Sequence, residues 1–241
     1  VPTVDWFEWH NEYDDPHSRF AARLVVVQRC LAALLDDMAA GPISVVSMCA
    51  GQGHDILGVL RDHPRRDEIV VTLIEQDGRN AGVARETARA ADLTDVRVVV
   101  GDAGDSTSYV GLAPASLVIM VGFLTHLGDG DLDRLIAFLP QLSAVSGMAL
   151  WCAGSQHVDL PTEIRTLFAR AGFVPVTVEC DVDPRWNIGI ERFEGRPRRL
   201  DPGVRLFSVQ PWEVSPTSRL RRQLVRFRAT VRRWVPANRR A

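Results

Sequence analysis

The sequence predicts a doubly wound α/β domain whose mostly parallel sheet is covered by helices on both faces. Three observations predict it. Between residues 43 and 171, apolar runs of strand length alternate with amphipathic stretches of helix length, as parallel strands joined by crossover helices require. A tight turn with two glycines, Cys49-Ala50-Gly51-Gln52-Gly53, joins the first apolar run to the helix that follows. The second and third runs end on acids, Glu75 and Asp102, and ligands of open sheets sit at the carboxyl ends of the strands.

The chain opens on an acidic, aromatic stretch, with Asp5, Glu8, Glu12, Asp14 and Asp15 around Trp6, Trp9, His10 and Tyr13. Its charge argues against a signal peptide. Asp15-Pro16, a cap followed by proline, predicts a helix start. That helix runs through Phe20, Leu24, Val27, Leu31 and Leu34 to about Met38. Strands are predicted near 43–48, 69–75, 96–100, 116–121 and 147–152, with helices near 53–62, 79–91, 130–142 and 160–171. After Gly172 the pattern changes. Residues 173–180, 188–193 and 204–209 alternate without helices and predict antiparallel strands closing one edge. Which two complete the main sheet stays open at this level. Residues 211–216 read as a linker. The predicted organisation is an N-terminal cap and helix over 1–40, a main domain over 41–212 and a basic amphipathic helix or tail over 213–241.

The glycine turn lets a ligand lie against the backbone, because a Cβ would block the approach. The N–H groups of the next helix start face the same place. An acid about twenty residues on, at the end of the second strand, suits a ribose diol. Turn, acid and acid at three successive strand ends describe an adenosine-shaped pocket. A dinucleotide fingerprint wants a third Gly or Ala where this chain has Ile56. The chain also contains no lysine, which removes a P-loop and every Schiff-base mechanism. An adenosine ligand without a polyphosphate remains, and S-adenosylmethionine fits that description.

The order Cys49-Ala50-Gly51-Gln52-Gly53, Glu75, Gly101-Asp102-Ala103 and Leu117-Val118-Ile119-Met120-Val121-Gly122 resembles the class I S-adenosylmethionine-dependent methyltransferase superfamily, across roughly residues 40–195. The resemblance implies a Rossmann-like sheet and S-adenosyl-L-methionine as cofactor. It places Cys49, Ala50, Gly51 and Gly53 against the methionine moiety, Glu75 with Gln76 at the ribose, Asp102 with Ala103 at the adenine, and Gly122 beside them. Two positions depart from the superfamily pattern. Ser47 stands where an acid is common, and Cys49 replaces the first glycine of the usual triple.

Methyl transfer from an activated sulfonium is governed by positioning and exclusion of water; oxygen and nitrogen acceptors also need a base for their proton. The loop after the fourth strand, Gly122-Phe123-Leu124-Thr125-His126, points toward the methyl group and makes His126 the candidate base. A histidine bonded to a helix cap is the structural alternative. Phe123, Thr125 and Trp151 are candidate substrate contacts, with Ser155 and His157 of lower weight. Trp9, His10 and Tyr13 are candidate substrate contacts as well, in a segment read as a lid over the cofactor or as a staple for the sheet edge.

At 241 residues the chain suffices for one well-buried domain or two small ones. No apolar run approaches the roughly 20 residues that cross a bilayer. Cys30, Cys49, Cys152 and Cys180 lie far apart without metal spacing. They read as buried thiols of a reducing cytosol, so a cytoplasmic protein with neither zinc nor disulfides is expected.

From Glu213 onward there are nine arginines and one acid, a charge of +8 against −10 for the remainder. Leu220, Leu224, Phe227, Val231 and Trp234 form an apolar seam at helical spacing. The seam fits a helix docked on its own domain or on a second copy as a homodimer, then a membrane-surface helix, then nucleic-acid contact. The function expected is methyl transfer to an oxygen or nitrogen of a small molecule. The alternatives are a macromolecular methyltransferase working through the arginine tail, or a cofactor-binding homologue without catalysis. Nucleic acid is disfavoured, because the place after the fourth strand reads Val121-Gly122-Phe123-Leu124 rather than an Asn/Asp-Pro-Pro-aromatic stretch, and no Pro-Cys nucleophile is present.

Overall fold

The structure is a computed structural model and describes residues 4–128, 130–154, 160–177 and 186–209. A one-turn helix, α1 (Trp6–Trp9), runs into a 3₁₀ turn over His10–Tyr13, and the long helix α2 (Arg19–Asp37) follows. The sheet then begins. In β1 (Ile43–Met48), Ile43 and Val45 enter one core while Val46 and Met48 enter the other, as the two-residue period of a strand dictates. β2 (Ile69–Glu75), β3 (Val96–Val100), β4 (Ala115–Val121) and β5 (Ser143–Gly154) extend it in parallel. β6 (Phe173–Pro175) and β7 (Trp186–Phe193) add two antiparallel strands. The order is β3-β2-β1-β4-β5-β7-β6. Its direction switches between β1 and β4, which opens a crevice at their carboxyl ends.

Helices cover both faces because both faces of these strands are apolar. On one side, α2, α3 (His54–Leu60) and α4 (Gly78–Ala90) bury Val27, Leu31, Ile56, Leu60 and Ala84 against Val45, Val71 and Ile119. On the other, α5 (Asp131–Phe138) and α6 (Leu160–Arg170) bury Leu135, Ile136, Ile164 and Phe168 against Val118 and Met120. Each buried Leu, Ile or Phe contributes roughly 1.5–3 kcal/mol. Such contacts hold helices as short as α3 and α5, which are marginal in isolation. From Trp6 onward the described residues belong to one compact unit, so α2 packs in the same body as the sheet.

Several boundaries differ from the sequence reading. α2 starts at Arg19 rather than at Pro16, because the Ser18 hydroxyl accepts the Phe20 N–H at 3.1 Å and serves as its cap. Asp15 instead accepts the His17 N–H in the preceding turn. The predicted helix over 130–142 is an α-helix only to Phe138, and Pro140 tightens the rest into a 3₁₀ turn. Of the three late strand candidates, the first two supply β6 and β7. Residues 204–209 form no strand of the sheet. They make isolated bridges at Asp105–Arg205 and Leu127–Val209 and cross the strand ends as a strap, with Ser106 N–H donating to the Val204 carbonyl and Leu206 N–H to Gly104. Cys30 corrects the expectation of thiols throughout. It is buried in α2 and disulfide-bonded, since spacing along the chain does not measure distance in the fold. Cys49 and Cys152 are free. The linker over 211–216, the basic tail over 213–241 and Cys180 lie outside the described residues. Among the described residues no helix is long and apolar enough to cross a membrane.

Candidate active site

The carboxyl ends of β1, β2, β3 and β4 surround a cavity of about 430 Å³. The turn after β1 makes one wall. Cys49 and Gly51 take φ values of 48° and 57°, in the left-handed region, so the chain reverses sharply and presents backbone to the cavity. Cys49 adopts this conformation despite its Cβ, at a cost of roughly 1–2 kcal/mol. Ala50 lies beside it in the wall. A Cβ on Gly51 would collide with the His10 imidazole. Gly53 does not line the cavity. It precedes α3 at φ 71°, and a Cβ there would meet Leu73 and Leu57 at 2.8 and 2.9 Å. Its missing side chain lets α3 approach the sheet.

Glu75 ends β2 with both carboxylate oxygens engaged: the Gly51 N–H donates to Oε2 and the Asp77 N–H to Oε1, each at 2.8 Å. Burial pushes its pKa up against the pull of these backbone donors. Each oxygen keeps acceptor capacity toward the cavity, and Gln76 lies alongside. Beyond β3, Asp102 accepts the Gly104 N–H through Oδ1 at 2.8 Å and pairs through Oδ2 with Arg205 of the strap at 2.5 Å. Ala103 follows it in the wall, its carbonyl held by the Tyr109 hydroxyl at 2.6 Å. After β4, Gly122 takes φ 89°, and Phe123 stacks on Phe207 of the strap with ring centroids 5.2 Å apart.

The N-terminal segment supplies a further wall. Trp9 is buried and meets Trp6, His10, Tyr13 and Phe20 edge-on. His10 Nδ1 lies 2.6 Å from the Trp6 carbonyl. A carbonyl only accepts, so Nδ1 carries the proton and Nε2 is the acceptor. Burial pushes the His10 pKa down to about 4, which keeps the ring neutral near pH 7 and makes it a weak base. His126 ends a 3₁₀ turn after β4 and meets Trp6 edge-on at 5.5 Å. Trp9, His10, Tyr13, Phe123 and His126 thus share one cavity with the predicted cofactor residues other than Gly53.

Two predicted substrate contacts stay outside it. Thr125 does not line the cavity, and Trp151 is fully buried within β5, its indole N–H donating to Glu191 at 3.2 Å. The alternation of β5 puts Trp151 with Ala149 and Ala153, in the core beneath α5 and α6. Ser155 and His157 lie outside the described residues.

No known family profile matches the chain, and no curated protein matches it. Solved structures do match. A magnesium protoporphyrin IX methyltransferase from Synechocystis PCC 6803, with S-adenosylmethionine bound, superposes at a TM-score of 0.59 and 14% identity, covering 77% of this chain and 89% of that one. A TehB-like S-adenosylmethionine-dependent methyltransferase from Corynebacterium glutamicum gives 0.53 and 17%, with coverage of 76% and 97%. An O-methyltransferase family protein from Burkholderia thailandensis gives 0.55 and 16%, with coverage of 80% and 64%. The fold is that of the class I methyltransferases.

On this methyltransferase fold the cavity also takes in residues that the motifs do not mark: Arg23, His54, Asp55 and Arg205. Arg23 had a signal in the sequence. It falls three residues after Phe20 and four before Val27, on the stripe that otherwise feeds the core. Asp55, in the first turn of α3, is buried with its pKa pushed up by desolvation. Arg205 had none, because the path of the strap is a tertiary outcome.

Proposed function

We propose that this chain transfers a methyl group from S-adenosyl-L-methionine to an oxygen or nitrogen of a small molecule. The observation that carries this reading is the convergence of Gly51, Glu75, Asp102, Ala103 and Gly122 on one cavity at the switch in strand order. These residues fit the cofactor. A buried carboxylate with spare lone pairs faces the cavity at the end of β2, and the turn after β1 presents its backbone to the same cavity at Cys49, Ala50 and Gly51. Glu75 would take the ribose hydroxyls, Asp102 and Ala103 the adenine, and the turn from Cys49 to Gly51 the methionine moiety. Bound there, the cofactor supplies an activated methyl group on a sulfonium.

The rest falls to the protein. The aromatic wall of Trp6, Trp9 and Tyr13 excludes water. The loop after β4 brings His126 to the acceptor side, where it would take the proton of a hydroxyl or amine. The superposed proteins named above include an O-methyltransferase family member and a porphyrin methyltransferase, in keeping with a small acceptor.

Calorimetry with S-adenosylhomocysteine tests the cofactor site. Glu75→Ala removes acceptors for two hydroxyls and should weaken binding by about 1–3 kcal/mol. Unchanged affinity, or no binding by the native chain, would end the assignment. With an acceptor in hand, His126→Ala should lower turnover roughly 10²–10⁴-fold at unchanged cofactor affinity.

A further inference from the structure

The geometry points to a carboxylate-bearing acceptor, with Arg23 as the residue that receives the carboxylate; the inference rests on the proposed methyl transfer. Arg23 is only 6% exposed, yet it lines the cavity. Its Nη2 donates to the Tyr13 hydroxyl at 2.8 Å, and its guanidinium carbon lies 5.3 Å from the Phe20 ring centroid and 5.5 Å from that of Trp186. Among the described residues no carboxylate forms an ion pair with it. Asp55 shares the cavity wall and feels the Arg23 charge, but burial pushes its pKa up, its Oδ1 accepts the N–H of Ile56, and no ion pair joins the two.

A buried guanidinium with no carboxylate bonded to it is costly unless an anion completes it. Its planar fork matches a carboxylate in two parallel hydrogen bonds, and Tyr13 uses only one of its five donors. A phosphate dianion would ask for more positive charge than is present. Arg205, the other arginine of the cavity wall, is already paired to Asp102, and burial lowers the pKa of both His10 and His54.

Position separates this anion from the cofactor's adenosine end. Glu75 and Asp102 follow β2 and β3, on one side of β1. Arg23 Nη2 lies 3.5 Å from where a Cβ on Gly122 would stand, after β4. Its neighbour Trp186 opens β7, further along the same side. That is the acceptor half of the crevice. The surrounding rings of Trp6, Tyr13 and Phe123 suit an apolar, planar body behind the carboxylate.

Benzoate and its neutral counterpart benzamide are suitable probes. The protein saturated with S-adenosylhomocysteine should bind benzoate at least about tenfold more tightly than benzamide. The preference should vanish in Arg23→Met and survive in part in Arg23→Lys. Because Arg23→Met also leaves the Tyr13 hydroxyl without its donor, the melting temperature of each variant is measured to confirm that the protein compared is folded. Equal binding of the two probes by the native protein, or a preference that persists in Arg23→Met, overturns the proposal. A second arm compares S-adenosylhomocysteine with 5′-methylthioadenosine, which lacks the amino-acid group. If Arg23→Met weakens only the former, Arg23 holds the cofactor's own carboxylate and the acceptor assignment is overturned. If the native protein binds no S-adenosylhomocysteine, the cofactor reading fails by itself, and the same probe comparison on the protein alone still decides Arg23.

Discussion

At the scale of single residues, two groups at the strand ends carry unfavourable terms that can be measured. Cys49 holds φ 48°, and relief of that strain is worth roughly 1–2 kcal/mol. Glycine returns about 0.5–1 kcal/mol of it as unfolded-chain entropy. Cys49→Gly should therefore raise the melting temperature by about 1–3 °C, a shift that scanning calorimetry resolves; a lower value would mean the thiol's packing outweighs the strain. Glu75 is the second. Burial raises its pKa above the ordinary 4.5, so its contribution to fold stability is greatest below the unfolded value and is lost as pH rises through the folded one. Ribose hydroxyls prefer the ionised carboxylate, so cofactor binding runs the other way. Affinity for S-adenosylhomocysteine should fall on acidification, beginning above pH 4.5, and Glu75→Gln should flatten that fall. An equally steep profile in the variant would place the titration on another group.

At the scale of elements, the site depends on two segments outside the parallel core. α1 with its 3₁₀ turn carries Trp9 and His10 over the glycine turn and Tyr13 onto Arg23. Deleting residues 1–14 removes that wall together with the hydroxyl partner of Arg23. We expect the shortened protein to fold and to bind S-adenosylhomocysteine at least about tenfold more weakly, as loss of one or two satisfied contacts implies. Undiminished affinity would leave the segment as a staple for the sheet edge. The strap over 204–209 closes the opposite side with Arg205 on Asp102 and Phe207 on Phe123. Neither segment is long enough to show its role by periodicity. The strap alternates like a strand, yet makes only isolated bridges, to Asp105 and Leu127 in the loops beyond the strand ends.

At the scale of the whole molecule, charge divides the chain near residue 212, with +8 beyond it and −10 before it. An isolated amphipathic helix of about two heptads is marginal in water, so we propose that the helix predicted from the seam of Leu220 to Trp234, outside the described residues, buries its apolar face on a partner surface. A truncation ending at Trp212 should stay folded and keep its affinity for S-adenosylhomocysteine. It should lose dimerisation, vesicle binding or polyanion binding, and a salt-sensitive loss would favour the last two. Unfolding of the truncated protein would make the tail part of the domain.

The alternation of strands and helices, the glycine turn and the acids at Glu75 and Asp102 were legible along the chain, because these are local patterns of period, spacing and backbone conformation. What meets in the crevice follows instead from how the elements pack. Arg23 was legible as a charge on an apolar stripe, but its position beside Gly122 depends on how α2 lies on the sheet. Trp151 read as a substrate contact and is core, because alternation along β5 is fixed by its pairing with β4 and β7. Gly53 read as a ligand contact and packs α3 against β2. In each case the local chemistry is written in one segment, while the direction a side chain faces is set by a neighbour distant in sequence.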